Sequence, residues 1–143
     1  MNEVNVRLVG FSRIDYDKKP IRKALRQQIA LVRDDARELV SGSSPSSPGE
    51  YPGQRTGVLR RAIKSKVLRS GLAAVARPEK TARMGKDFYP AFLMHGVKQR
   101  RGKALNPGLK PRGDYMVDSL ERRTSPATEA IREALQTSLV PRT

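Results

Sequence analysis

From Pro20 to Val40 the positions Ile21, Leu25, Gln28, Val32, Ala36 and Leu39 recur at helical spacing, and Ala24, Ile29 and Val40 widen the stripe. This predicts a first helix over about residues 20–40. Pro20 suits its first turn, where a missing N–H costs nothing, and Ser41-Gly42 supplies the stop. Ahead of it, Val4, Val6 and Leu8 alternate with polar neighbours and predict a short strand ending before Gly10. The run Ser41-Gly42-Ser43-Ser44-Pro45-Ser46-Ser47-Pro48-Gly49 has no side chains that build a core, so residues 41–55 are expected to be a flexible loop, either a plain linker or one that orders against a partner.

Beyond that loop, Val58, Leu59, Ala62 and Ile63 share one side of a short helix, with Thr56 as its expected cap. Lys64-Ser65 and Val67-Leu68, then Leu72-Ala73-Ala74-Val75-Ala76, are split by Ser70-Gly71 and predict a hairpin turning at the glycine. In Phe88-Tyr89-Pro90-Ala91-Phe92-Leu93-Met94, Pro90 argues against a central strand and leaves an edge strand, a bulge or a helical start. Residues 97–113 read as a second loop rich in cations, glycine and proline. After Tyr115, Met116 and Leu120, a closing helix is expected to open at Ser125 as cap with Pro126 in its first turn. Ala127, Ala130, Ile131, Ala134 and Leu135 share its apolar face. The fold class that follows is α+β: a small antiparallel sheet flanked by an N-terminal helix and a C-terminal helix, in a single domain over residues 1–143.

Composition narrows this picture. Hydrophobic residues are 37% and aromatics 5%, with no tryptophan, so the core is thin and self-association is one way to bury what remains. The absence of cysteine excludes disulfides and thiolate metal sites. No apolar run approaches the roughly 18 residues of a membrane helix, so no membrane partner is expected, and Met1-Asn2-Glu3 lacks the regions of a signal peptide. Ser138-Leu139-Val140-Pro141-Arg142 resembles a thrombin-cleavage sequence, lacks the Gly-Ser that usually follows, and is read as native.

The net charge is +15, and its placement says more than its size. Lys and Arg against Asp and Glu number 9 to 7 over residues 1–50, 16 to 2 over residues 51–113, and 4 to 5 over residues 114–143. The middle therefore holds +14. Cations this dense repel one another unless a negative surface, polyanion or acidic protein, faces them; a solvated loop surface is the plainer alternative. They fall into three groups: Arg55, Arg60, Arg61, Lys64, Lys66 and Arg69; then Arg77, Lys80, Arg83 and Lys86; then the loop from Lys98 to Arg112. Arg60, Arg61, Lys64, Lys66, Arg69, Lys98, Arg100, Arg101 and Lys103 are the candidate DNA-facing or interface residues. Only Phe88, Tyr89 and Phe92 lie among these cations, so stacking on single-stranded bases has weak support.

Catalytic chemistry has no visible constellation. His95 stands alone without a nearby carboxylate or cysteine, and metal sites need three or four clustered donors. Asp34, Asp35 and Glu38 are spaced for ion pairs one turn away on a solvated helix face. Glu79 and Asp87, the two acids of the basic segment, read as charge balancing rather than an acid/base pair. No glycine spacing of the phosphate-binding kinds occurs. No enzymatic activity and no cofactor are expected.

In order, the chain carries Tyr51-Pro52-Gly53-Gln54-Arg55-Thr56-Gly57-Val58-Leu59-Arg60-Arg61-Ala62-Ile63, then Phe88-Tyr89-Pro90-Ala91-Phe92-Leu93-Met94-His95-Gly96, then Lys110-Pro111-Arg112-Gly113-Asp114-Tyr115-Met116. This series resembles the head-tail joining, or tail-completion, proteins of tailed bacteriophages, over most of residues 20–137. Ala62 stands where the family usually has serine, and His95-Gly96-Val97 where it has an acid, a glycine and a threonine. Thr56, Gly57, Leu59, Tyr89 and Gly96 are the motif positions that the resemblance marks. It implies a structural virion protein of the neck, made in the host cytoplasm, whose copies form a ring, commonly of six, at the top of the tail tube. The implied partners are copies of itself, a connector or stopper protein above, tail tube protein below, and DNA passing through the lumen. The competing reading is a basic protein that binds nucleic acid without sequence preference.

Overall fold

The computed structural model describes residues 16–86, 89–96, 100–101, 104–105 and 110–139. The expected strand at Val4, Val6 and Leu8 lies outside them. The first helix, α1, spans Lys18–Leu39; Asp17 caps it by accepting from the Lys19 N–H at 2.9 Å, and Pro20 falls in its first turn. Its stripe is buried at Ile21, Ala24, Val32 and Ala36, and Val40 closes it.

A five-residue helix, α2 (Val58–Ala62), runs directly into β1 (Ile63–Val67), which pairs antiparallel with β2 (Ala74–Pro78). The turn between the strands is closed by Leu68 N–H to the Ala73 carbonyl at 2.8 Å and Gly71 N–H to the Leu68 carbonyl at 2.9 Å. A 3-10 turn (Ala82–Met84) follows, then α3 (Tyr89–His95), so Pro90 sits at a helical start. Inside the stretch read as a second loop, β3 (Arg100–Arg101) pairs with β4 (Ala104–Leu105).

The last helix, α4, spans Tyr115–Ser138 and begins ten residues before the expected Ser125 cap. Asp114 is the cap: its carboxylate accepts from the Met116 and Val117 N–H groups at 3.2 and 3.1 Å. Pro126 is therefore interior to α4 rather than in its first turn. Local sequence favours a break there, but the packing of Tyr115 and Ser119, both fully buried, and the docking of α4 along α1 keep the helix continuous.

The architecture is α+β, with the two-stranded hairpin flanked by the N-terminal and C-terminal helices. Helix α1 is the common support, packing on β1, on β2 and on α4. Helices α1 and α4 are antiparallel, since Asp17 N–H meets the Ser138 carbonyl at 2.8 Å while Asp35 meets Arg123. The core is small: Ala36, Val40, Leu59, Ile63 and Tyr115, with Tyr51, Tyr89, Leu93, Met94 and Met116 packed around it.

Asp35 corrects the expectation of a solvated pair one turn away. Its carboxylate accepts from Arg123 Nε at 2.6 Å and Nη2 at 2.7 Å, a two-pronged bond across the α1–α4 seam, and its side chain is only 13% exposed. The Arg123 hydrogen bonds hold the Asp35 carboxyl below its ordinary value of 3.8, against burial acting in the other direction. A depressed folded-state value means that this pair stabilises the fold above the ordinary carboxylate range and that the contribution fades as pH falls through it. Thermal melts are therefore expected to show wild-type Tm falling more steeply than that of Asp35→Asn between about pH 5 and pH 3. Parallel curves would mean that the pair contributes nothing to acid sensitivity.

Candidate functional site

The segment from Gln54 to Lys64 places its cations by a sequence of local constraints. Gly57 is the first of them: it precedes α2 with φ +68°, in the left-handed region that side-chain-bearing residues avoid, and it is buried. Thr56 consequently does not cap α2. Gly57 occupies the cap position without a side chain, and Thr56 is exposed with its carbonyl accepting from Arg61 Nη2 at 2.9 Å. Leu59 and Ala62 then turn into the core, which leaves Arg60 and Arg61 outside. Along β1 the alternation of the strand puts Lys64 and Lys66 on the outward face.

Two open hollows result. The first, of about 390 Å³, is lined by Arg37, Gln54, Gly57, Arg60, Arg61 and Lys64. The second, of about 370 Å³, is lined by Val58, Arg61, Lys64, Thr81, Ala82 and Arg83. They share Arg61 and Lys64, so they form one continuous surface with cations along it and no carboxylate in its lining.

Arg37 reaches this surface from the end of α1. Its Nη2 donates to the Ile63 carbonyl at 2.8 Å, and its buried Nε has no hydrogen-bond partner among the described residues. Asp34 lies 3.9 Å from its Nη1 but is bonded more closely to Arg33, at 2.8 Å. The Arg33 hydrogen bond is what holds the Asp34 carboxyl below its ordinary range. Lys64 is directly opposite Arg77 across the hairpin, a like-charge pair of the kind that destabilises a sheet when nothing neutralises it.

Of the cations read from sequence, the structure brings together Arg60, Arg61 and Lys64. Lys66 and Arg69 are exposed farther along the hairpin, outside the lining of either hollow. Lys98 and Lys103 lie outside the described residues, and Arg100 and Arg101 are placed as backbone of β3. Sequence reasoning missed Arg37, which helical spacing assigns to Asp34, and named Arg83 only within the second group of cations, not among the candidate interface residues.

The motif positions converge on an adjoining hollow, which shares Gln54, Gly57 and Arg60 with the first. Thr56, Gly57, Leu59 and Tyr89 surround a largely apolar hollow of about 230 Å³ together with Val40 and Leu93. Burial pushes the Tyr89 hydroxyl up, with the nearby Leu59 backbone acting in the other direction. Gly96 donates its N–H to the Phe92 carbonyl at 2.8 Å and ends α3, leaving His95 exposed. Among the described residues no group of three or more His, Cys, Asp or Glu is placed to hold a metal ion, and no helix is long and apolar enough to cross a membrane. Compared with known proteins, the chain matches no family model, no curated protein and no solved structure.

Proposed function

We propose that this chain is a structural assembly protein of the bacteriophage head-tail neck, not an enzyme. Its copies form a ring that completes the tail top and joins it to the head connector while DNA passes through. The observation that carries the reading is the division of charge over the folded unit. The α2–β1 side presents the merged cationic hollows, whereas α4 balances Arg122, Arg123 and Arg132 against Asp118, Glu121, Glu129 and Glu133. A ring needs one surface that tolerates phosphate and another that meets protein. Residues of all three motif segments, Leu59, Tyr89 and Tyr115, meet in the core, which adds support. The thin core and exposed Leu120, Leu135 and Leu139, at 53%, 46% and 55%, leave apolar surface for a neighbour to cover.

The second reading, a nucleic-acid-binding protein that acts without assembling, is favoured by one observation: the hollows are complete within a single chain. Mass measurement and electron microscopy of the purified protein separate the two. A closed ring of several copies is the expected result, while a monomer at all accessible concentrations that retards DNA at low salt overturns the neck reading.

A further inference from the structure

We propose that the merged hollows are a binding site for the phosphodiester backbone of duplex nucleic acid, with Arg37, Arg60, Arg61, Lys64 and Arg83 as its cations. The proposal takes its biological setting from the neck reading, but its geometry rests on one chain alone.

Three features favour a phosphate backbone over an acidic protein surface. The first is the lining of the larger hollow, which holds Arg37, Arg60, Arg61, Lys64, Gln54 and Gly57 and no apolar or aromatic side chain. Protein interfaces place aromatic or large aliphatic anchors at their centre, and the merged hollows offer only Val58 and Ala82. The second is continuity. Arg61 and Lys64 belong to both hollows, so the cations follow a track rather than surround a point, as successive phosphates along a strand require. The absence of aromatic rings from both linings argues against base stacking and for contact with the backbone of a duplex.

The third is preorganisation that the isolated chain leaves uncompensated. Arg61 is held by the Thr56 carbonyl and Arg37 by the Ile63 carbonyl, which aims each guanidinium while leaving other N–H groups free to donate. Lys64 faces Arg77 across the hairpin, and both side chains are exposed. A phosphate oxygen beside Lys64 lowers the cost of that like-charge pair by adding negative charge where the fold has gathered positive charge.

Fluorescence anisotropy of the full chain with a labelled mixed-sequence duplex of about 20 base pairs, titrated from about 50 to 200 mM salt, tests the site. The five cations predict a slope of log affinity against log salt of about −4 to −5. Arg61→Gln with Lys64→Gln is expected to shallow that slope by about 2 and to weaken binding at the lowest salt by at least about tenfold, equally for unrelated sequences. Arg60→Gln with Arg83→Gln is a second pair with the same expected slope change. Arg122→Gln with Arg132→Gln on α4 removes the same net charge and is expected to leave the slope nearly unchanged. Wild-type melting curves for each variant establish that it folds.

No duplex binding at the lowest salt overturns the proposal, as does a slope that responds equally to the α4 pair. Displacement of the duplex by poly-L-glutamate at matched charge concentration also overturns it, assigning the surface to an acidic protein. A ring that forms but ignores duplex removes this site and leaves the neck reading intact. A chain that binds duplex through the hollows without assembling does the reverse.

Discussion

Tyr115→Ala is expected to remove about 3–5 kcal/mol of stability, the range for truncating a large buried ring. Tyr115 is fully buried at the start of α4 and joins Ala36, Val40, Leu59 and Ile63 in the central cluster. With a core of so few large side chains, the cavity has little nearby that can collapse into it. Domains of this size have net stabilities of about 5–15 kcal/mol, so the variant stands close to unfolding at ambient temperature. Tyr115→Phe is expected to do the opposite. The hydroxyl is buried with no hydrogen-bond partner among the described residues, and burial pushes its pKa far above the ordinary phenol value. Removing an unsatisfied buried hydroxyl recovers part of a desolvation cost of about 1–3 kcal/mol. Urea unfolding of both variants checks the pair of expectations. A loss of more than about 1 kcal/mol in Tyr115→Phe would show that the hydroxyl is satisfied after all.

Pro126→Ala is expected to stabilise the protein by about 2 kcal/mol. Proline inside a helix costs about 3 kcal/mol, through a lost N–H and a clash with the carbonyl one turn earlier, here that of Arg122. Alanine gives back about 0.4–1 kcal/mol of that because it frees the unfolded chain. The site is exposed, so no core contact is lost. For a chain of this length the gain corresponds to a Tm about 6 °C higher, read directly by calorimetry. An unchanged or lower Tm would mean that α4 accommodates the ring without strain.

These two residues also mark what was legible in the sequence. Helix α1 was readable because its stripe keeps one period for six turns, and the hairpin because Ser70-Gly71 separates two short apolar runs. Pro90 was read with a helical start among its options, and α3 takes that option. The beginning of α4 was not readable from local signals, because Ser125-Pro126 has the form of a helix start while the real cap, Asp114, follows glycine in a basic loop. What carries the helix through Pro126 is tertiary, including the Asp35–Arg123 bond between residues 88 positions apart. At the candidate site, the concentration of cations was visible in residue counts, and Arg60, Arg61 and Lys64 were named from it. Their convergence with Arg37 and Arg83 was not, since it depends on α2 passing straight into β1 against the end of α1. Thr56 was misread for a similar reason. A hydroxyl before an apolar run looks like a cap until the following glycine takes the left-handed conformation.

The hydrogen bond from Asp17 to Ser138 sets the start of α1 beside the end of α4. Arg37 lies nineteen residues beyond Lys18 on α1, about 29 Å away at the rise of an α-helix. The described residues therefore have a polarity: the start of α1 and the end of α4 share one pole, and the cationic hollows occupy the other. A partner that grips the pole at Asp17 and Ser138 leaves the positive pole facing outward.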